Sequence, residues 1–432
     1  MKRPARSRSA CAAVVSLAAI AACRSPGASP PGAQALAPLS VARLLSGSPG
    51  EDGDAGFARA VAPRDFRFPE DDGPHPTFRS EWWYFTGIVR AVGPAPAGRR
   101  FGYEMTVFRR ALVAARSPPP SPSAPASAWA TRDVFMAHFA ITDVDGTGPG
   151  PRFHAYEQFA RDGLGLAGAR AHPFAAWVDD WRMEGPPDRP GTLPIHLRAR
   201  ADGGAAIDLV VGGGGGPGTI PAGAAGGGRG PTAQGDRGLS AKGPRPGQAS
   251  YYYSRTRLPT RGRLTLPDAT GAGEDGSFEV GGLSWMDREW ATDALGAEVR
   301  GWDWLGAHLS DGRDLMLYRL RDQAGQATPE SGLTITDADG NARRFTAKQF
   351  TVTPIETWTS PRTGAPYPVA LRLQALEAGL LLDIRPLRLD QELRLSVNYW
   401  EGAVSLAGSD AGGAVGGEGY LELTGYGGGQ RQ

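Results

Sequence analysis

Carboxylates stand beside tryptophan at four places in this chain. Glu81 precedes Trp82, Trp83 and Tyr84. Asp287 and Glu289 lie between Trp285 and Trp290. Asp303 lies between Trp302 and Trp304, with His308 close behind, and Glu401 follows Trp400. A carboxylate on an apolar face is expensive unless it is paired. Two outcomes follow. Either the acid pairs with a buried Arg (Arg109, Arg288 or Arg319) and locks the fold, or its pKa rises in an apolar pocket and it becomes a general acid. Strand alternation decides which groups can work together. Glu81, Trp83 and Phe85 share one face, and Trp82, Tyr84 and Thr86 the other. Trp285, Asp287 and Glu289 share a face, as do Trp302 and Trp304, with Asp303 opposite. A space walled by Trp and Tyr suits a flat or long apolar ligand.

Other chemistry is missing from the sequence. "GLSAK" and "GLSWM" lack the second glycine of a nucleophile elbow, and there is no P-loop, no G-x-G-x-x-G opening a helix and no H-E-x-x-H. The six histidines (75, 138, 154, 172, 196 and 308) have no ligand spacing, so neither a metal nor another cofactor is expected. A net charge of +1 offers no electrostatic footprint for nucleic acid.

The elements that position these residues read as strands. "RRFGYEMTVFRRALV" alternates, with Phe101, Tyr103, Met105 and Val107 pointing one way and Glu104 and Thr106 the other. "VFMAHFAITDVDG", "RDLMLYRLRDQAG", "ELRLSVNYWEGAV" and "GYLELTGYGGG" repeat the pattern of strand and turn. Sustained helical periodicity is scarce, which predicts an all-β sandwich or barrel. Two stretches, Ser117–Ala128 and the Gly-rich insertion 212–231, cannot pack a core and read as exposed loops. An acidic and aromatic cluster followed by a strand ending in Arg occurs in each half. This predicts two similar β domains, residues 64–256 and 257–428.

The N-terminus reads as an address. Residues 1–22 form a basic stretch and a short apolar run, a secretory signal too short to span a membrane. The run ends Ile20-Ala21-Ala22-Cys23, which is similar to a bacterial lipobox with Cys23 as the lipidated residue. Residues 23–63, rich in Ala, Gly, Ser and Pro, read as a flexible tether. With no Asp after Cys23, the expected location is the cell envelope at the outer membrane. The one other cysteine, Cys11, lies in the signal, so no disulfide is expected.

The segments "HPTFRSEWWYFTG", "FGYEMTVFRR", "FMAHFAITD", "GLSAKG", "SYYYSRTRLPTRGRL", "GLSWMDREW", "GWDWLGAHLSDGRDLMLYRLR", "SPRTGAPYP" and "NYWEGAVSLAG" through "GYLELTGY" extend from His75 to Tyr426. Together they resemble the carotenoid 1,2-hydratase (hydroxyneurosporene synthase) and AttH-like family, and the AttH-like branch most closely. The carotenoid enzymes' acid motif is similar at Asp287, with different neighbours. The resemblance implies two tandem lipocalin-like (calycin-like) antiparallel β-barrels with a site between or inside them. It also implies hydratase- or hydrolase-like chemistry on an apolar, isoprenoid or polyketide-like substrate. Asp287 would protonate a C=C bond, Trp83, Trp285 and Trp302 would stabilise the cation, and Glu81 or His138 would assist the water. Tyr84, Tyr252, Trp304 and Trp400 complete the expected substrate wall. Two rivals stand beside this reading. One is a non-catalytic carrier of an apolar small molecule, working alongside an ABC exporter. In the other, the aromatic clusters only join the two domains. A catalytic Asp287 should face a cavity and lack an Arg partner.

Overall fold

The computed structural model describes residues 54–427 except 94–96, 116–130, 148–150, 189–190, 214–228, 268, 270–275 and 297. The signal, Cys23, most of the tether, the Ser117–Ala128 loop and most of the Gly-rich insertion lie outside the described residues. Helix among the described residues is limited to two 3-10 turns, Glu70–Asp72 and Leu376–Ala378.

All other regular structure is antiparallel strand in two sheets. The first sheet begins with β1 (Ser80–Ala91), β2 (Arg100–Ala111), β3 (Asp133–Asp143), β4 (Phe153–Arg161), β5 (Ala167–Arg170), β6 (Ala175–Val178) and β7 (Trp181–Glu184). It continues through β8 (Ile195–Arg200), β9 (Ala206–Val211), β10 (Thr232–Ala233), β11 (Leu239–Ala241), β12 (Ala249–Thr265) and β13 (Ser277–Ala291). The second sheet begins with β14 (Val299–Leu309), β15 (Asp314–Asp322), β16 (Gly332–Thr336), β17 (Ala342–Thr346) and β18 (Thr351–Thr359). It ends with β19 (Pro366–Ala375), β20 (Leu380–Pro386), β21 (Glu392–Arg394), β22 (Asn398–Asp410) and β23 (Gly413–Leu423).

The first sheet runs β4-β3-β2-β1-β13-β12-β9-β8-β7-β6-β5, with β10 and β11 also on β12. Its end strands β4 and β5 lie against each other, so it curls into a nearly closed barrel. The second runs β17-β16-β15-β14-β23-β22-β20-β19-β18, with β21 on β22, and forms a half-barrel. The fold is therefore all-β, two tandem lipocalin-like barrels. The division expected at Thr256 and Arg257 falls inside β12. The chain changes sheet after Ala291, because β12 and β13 pair back onto the first sheet.

Each barrel fills its own interior. Trp83, Phe85, Val89, Phe101, Tyr103 and Met105 enter one core, and Leu305, Ala307, Leu371, Trp400 and Val404 the other. The opposite faces of the same strands are buried too. Tyr84, Tyr252 and Trp285 from the first sheet meet Trp304, Met316, Tyr318 and Tyr420 from the second in a third cluster. Strands buried on both faces explain why the apolar runs are so continuous. The sheets approach closely at Gly102, where a Cβ would lie 2.8 Å from the Cβ of Ala403.

Candidate functional site

The cavity lies between the two sheets, outside both barrel cores. Its empty space is about 780 Å³, including the part open to solvent. The first sheet contributes Trp82 and Tyr84 from β1, Thr106 and Phe108 from β2, Tyr252 from β12, and Asp287 and Glu289 from β13. The second contributes Trp302 and Trp304 from β14, Tyr318 from β15, Tyr399 and Glu401 from β22, and Glu422 from β23. An account in which the aromatics only join the domains requires an interface without such a space.

Asp287 sits on the cavity wall opposite Tyr84 in the register of β1 and β13. Among the described residues its side chain has no cationic partner. Oδ1 accepts from the Ser254 hydroxyl at 2.6 Å and from the Trp285 indole N–H at 2.7 Å. Oδ2 accepts from the Tyr252 hydroxyl. That hydroxyl in turn accepts from the Trp304 indole N–H at 3.0 Å. Burial pushes the Asp287 carboxyl up, the Ser254, Tyr252 and Trp285 hydrogen bonds pull it part of the way back, and the balance stands at about 7. An acid near 7 is poised to give and regain a proton at neutral pH.

The walls are packed to hold their rings in place. Trp285 and Trp304 meet edge-on, 6.1 Å apart at 79°, and Tyr84 meets Trp304 at 5.2 Å and 85°. Gly306 makes room for the pair: a Cβ there would lie 2.6 Å from the Trp304 ring and 3.1 Å from that of Trp285. Next to Asp287 on the same strand face, Glu289 pairs with Lys242 at 3.2 Å and accepts from the Ser250 hydroxyl.

The expected site residues divide into two groups. Asp287, Tyr84, Tyr252, Trp302 and Trp304 line the cavity, and Trp285 stands directly behind Asp287. Glu81, Trp83 and Trp400 do not reach it. Glu81 points to the other face of β1, fully buried between Arg109 and Arg288. Burial would raise its pKa, but those two guanidinium groups outweigh it and hold the carboxyl well below the usual range. Trp83 donates its indole N–H to the Asp72 carbonyl at 2.8 Å, with Arg288 stacked 4.0 Å from its ring centroid. Trp400 lies in the second barrel core and donates to the Leu389 carbonyl at 2.7 Å. His138 is buried one layer back, bonded to the Tyr399 hydroxyl at 2.9 Å and to Glu157 at 2.9 Å. Arg319, expected as an alternative partner for Asp287, pairs with Asp303 at 2.5 Å instead.

Several groups in the cavity wall, and the buried Glu104 beside it, escape the sequence reading. Glu422 and Lys242 have no aromatic neighbour in sequence to mark them. Glu104 and Thr106 alternate with core residues and read as an outward polar face. Glu401 was marked by Trp400, although the tryptophan itself points away from the cavity.

The sequence matches the AttH-like family over residues 59–426. The chain belongs to the AttH-like family. The crystal structure assigned as an AttH from Nitrosomonas europaea is similar to it at 33% identity, with a TM-score of 0.67. The match covers 86% of this chain and 100% of that one. Kievitone hydratase from Nectria haematococca is similar at 16% identity and a TM-score of 0.56, covering 85% of this chain and 96% of that one. At that distance the likeness is one of fold. No curated protein compared with this AttH-like chain matches it.

Proposed function

We propose that this AttH-like protein is a hydratase-like enzyme that adds water across a C=C bond of an apolar substrate, with Asp287 as proton donor. The supporting observation is Asp287 itself: a cavity-facing carboxyl, bonded to two hydroxyls and an indole N–H, with no cation beside it among the described residues. The fold shared with a protein named as a hydratase supports the reaction class.

The step balances with one residue. The Asp287 carboxyl transfers its proton to one alkene carbon, and the electron pair of the C=C bond forms the new C–H bond. The adjacent carbon becomes cationic and is stabilised by the faces of Trp304, Tyr84 and Trp82. Water adds to that carbon, and the proton it sheds returns to the Asp287 carboxylate. Glu289, on the same strand face, is placed to orient the water. Glu81 and His138 have no role at the reacting atoms in this scheme.

The test is incubation of the purified protein with prenylated phenols and short polyenes in oxygen-18 water. The expected product is heavier by one labelled water, and Asp287→Asn slows its formation by roughly 10²–10⁴-fold. Tight binding of a probe without turnover would leave the carrier reading in its place. Unchanged turnover in Asp287→Asn would remove Asp287 as the acid. We further propose, on the run ending at Cys23, that the protein is a lipoprotein of the bacterial cell envelope. A diacylglyceryl group on Cys23 in the mass of the mature N-terminal peptide is the expected sign, and an unmodified or internal N-terminus would refute it.

A further inference from the structure

The cavity has two acidic ends, and among the described residues a cation pairs with only one of them. At the first, Lys242 lies 3.2 Å from Glu289, with its ammonium 4.4 Å from the Tyr318 ring centroid and 5.2 Å from that of Tyr252. An ammonium is thus held between a carboxylate and two aromatic faces. At the other end, Glu401 and Glu422 stand directly opposite each other on β22 and β23. Like charges so placed repel. Glu401 accepts from the Tyr84 hydroxyl at 2.5 Å, and Glu422 from the Trp302 indole N–H at 3.0 Å. Lys242 is the one cationic side chain among the cavity's lining residues.

A further buried carboxylate sharpens the contrast. Glu104 is fully buried on the same face of β2 as the cavity-lining Thr106. Thr106 donates to one of its oxygens at 3.0 Å, while the other oxygen has no hydrogen-bond partner. An orphaned carboxylate oxygen in a dry site is costly. A metal ion is not what these acids are arranged for: among the described residues no group of three or more His, Cys, Asp or Glu has metal-holding geometry. Tyr84, Trp82, Trp302 and Tyr399 surround this end with rings, as Tyr252 and Tyr318 surround Lys242.

We propose that the Glu401 and Glu422 end of the cavity, with the buried Glu104 close to it, binds the protonated amine of an amphiphilic ligand whose apolar body lies along the aromatic walls. The proposal rests on the same cavity being the ligand site, and it names the ligand class. The ligand supplies the cation, in the arrangement that Lys242 occupies at the other end.

The electrostatics of these acids agree. Burial pushes Glu104 up to about 8 and Glu422 up to about 7, and it raises Glu401 well above the carboxylate range, with Glu104 and Glu422 adding repulsion. The groups facing them are Tyr84 on β1, Tyr399 on β22, and Asp287 and Glu289 on β13. His138 and Glu157 stand behind Tyr399. Near neutral pH these acids hold protons that an arriving ammonium displaces.

The experiment is isothermal titration of the full-length protein with octylamine and with 1-octanol at pH 7, each in two buffers of different ionisation enthalpy. Octylamine should bind at least about tenfold tighter than octanol and release about one proton per ligand. The double variant Glu401→Gln and Glu422→Gln should lose that preference and still bind octanol, which also shows that it has folded. Equal affinities, or a preference that survives in the double variant, would overturn the amine proposal and leave the cavity as a ligand site. Binding of neither probe would overturn both readings.

Discussion

Glu81 and Asp287 occupy the same strand pair, β1 and β13, where Glu81 faces Trp290 and Tyr84 faces Asp287 in register. Both are buried acids among tryptophans, and they have opposite fates. Glu81 lies between two guanidinium groups and accepts from the His75 backbone N–H at 3.0 Å. Its charge is fully compensated and its role is to tie the His75 turn to the barrel. Asp287 is offered hydroxyls and an indole N–H only, and it spends part of its time protonated at neutral pH. The difference teaches that burial alone does not set a carboxyl's charge state. What matters is whether the fold brings a cation to it.

This contrast can be broken from either side. The largest effect is expected from Glu81→Gln, which leaves Arg109 and Arg288 buried without their shared anion. Unfolding by urea should show a loss of about 3–5 kcal/mol. A loss under about 1 kcal/mol would mean that the pair contributes little to stability.

A smaller effect, opposite in sign for the two acids, is expected in the pH dependence of stability. The folded pKa of Glu81 lies below its ordinary value of 4.5, so its contribution is present at neutral pH and is lost as pH falls through the folded value. The folded pKa of Asp287, about 7, lies above its ordinary 3.8. The folded state therefore holds the extra proton, and stability falls as pH rises from about 4 to about 7, by roughly 1–4 kcal/mol. Glu104, Glu401 and Glu422 are raised in the same direction and add to this slope, so Asp287→Asn should lessen it and leave the acid limb intact, and a slope unchanged in this variant would contradict the assignment. Turnover, which needs the protonated acid, should hold below that value and decline as pH rises through about 7.

The smallest effect concerns Tyr252. Its hydroxyl favours the charged form of Asp287, so Tyr252→Phe should move the Asp287 midpoint upward by about one pH unit. The pH profile of turnover would report it, and a downward shift would show that Tyr252 supports the protonated form instead.

Much of this arrangement was legible in the residues. Alternation placed Asp287 and Glu289 on one face with Trp285, and Trp302 with Trp304, and all but Trp285, which stands behind Asp287, line the cavity. The all-β class followed from strand-length apolar runs and turn residues. Period two says which side chains share a face, but not what that face meets, and on β1 both faces are buried. The reading that grouped Glu81 with Trp83 was correct as a grouping, yet that face enters the barrel core while Trp82 and Tyr84 meet the cavity.

The same limit hid the acids of the far wall. Glu104 alternates with Tyr103 and Met105, and Glu422 with Leu421 and Leu423, as solvent-facing residues of an ordinary half-buried strand do. The chain's residue order by itself determined the strands, their faces and the acids that stand beside aromatic rings. The tertiary structure alone decided that a second sheet covers the polar face of the first. It also decided that arginines reach Glu81 while, among the described residues, none reaches Asp287. The physical reason is that a carboxylate's charge state depends on what surrounds it in space, and those neighbours come from strands far apart in the chain.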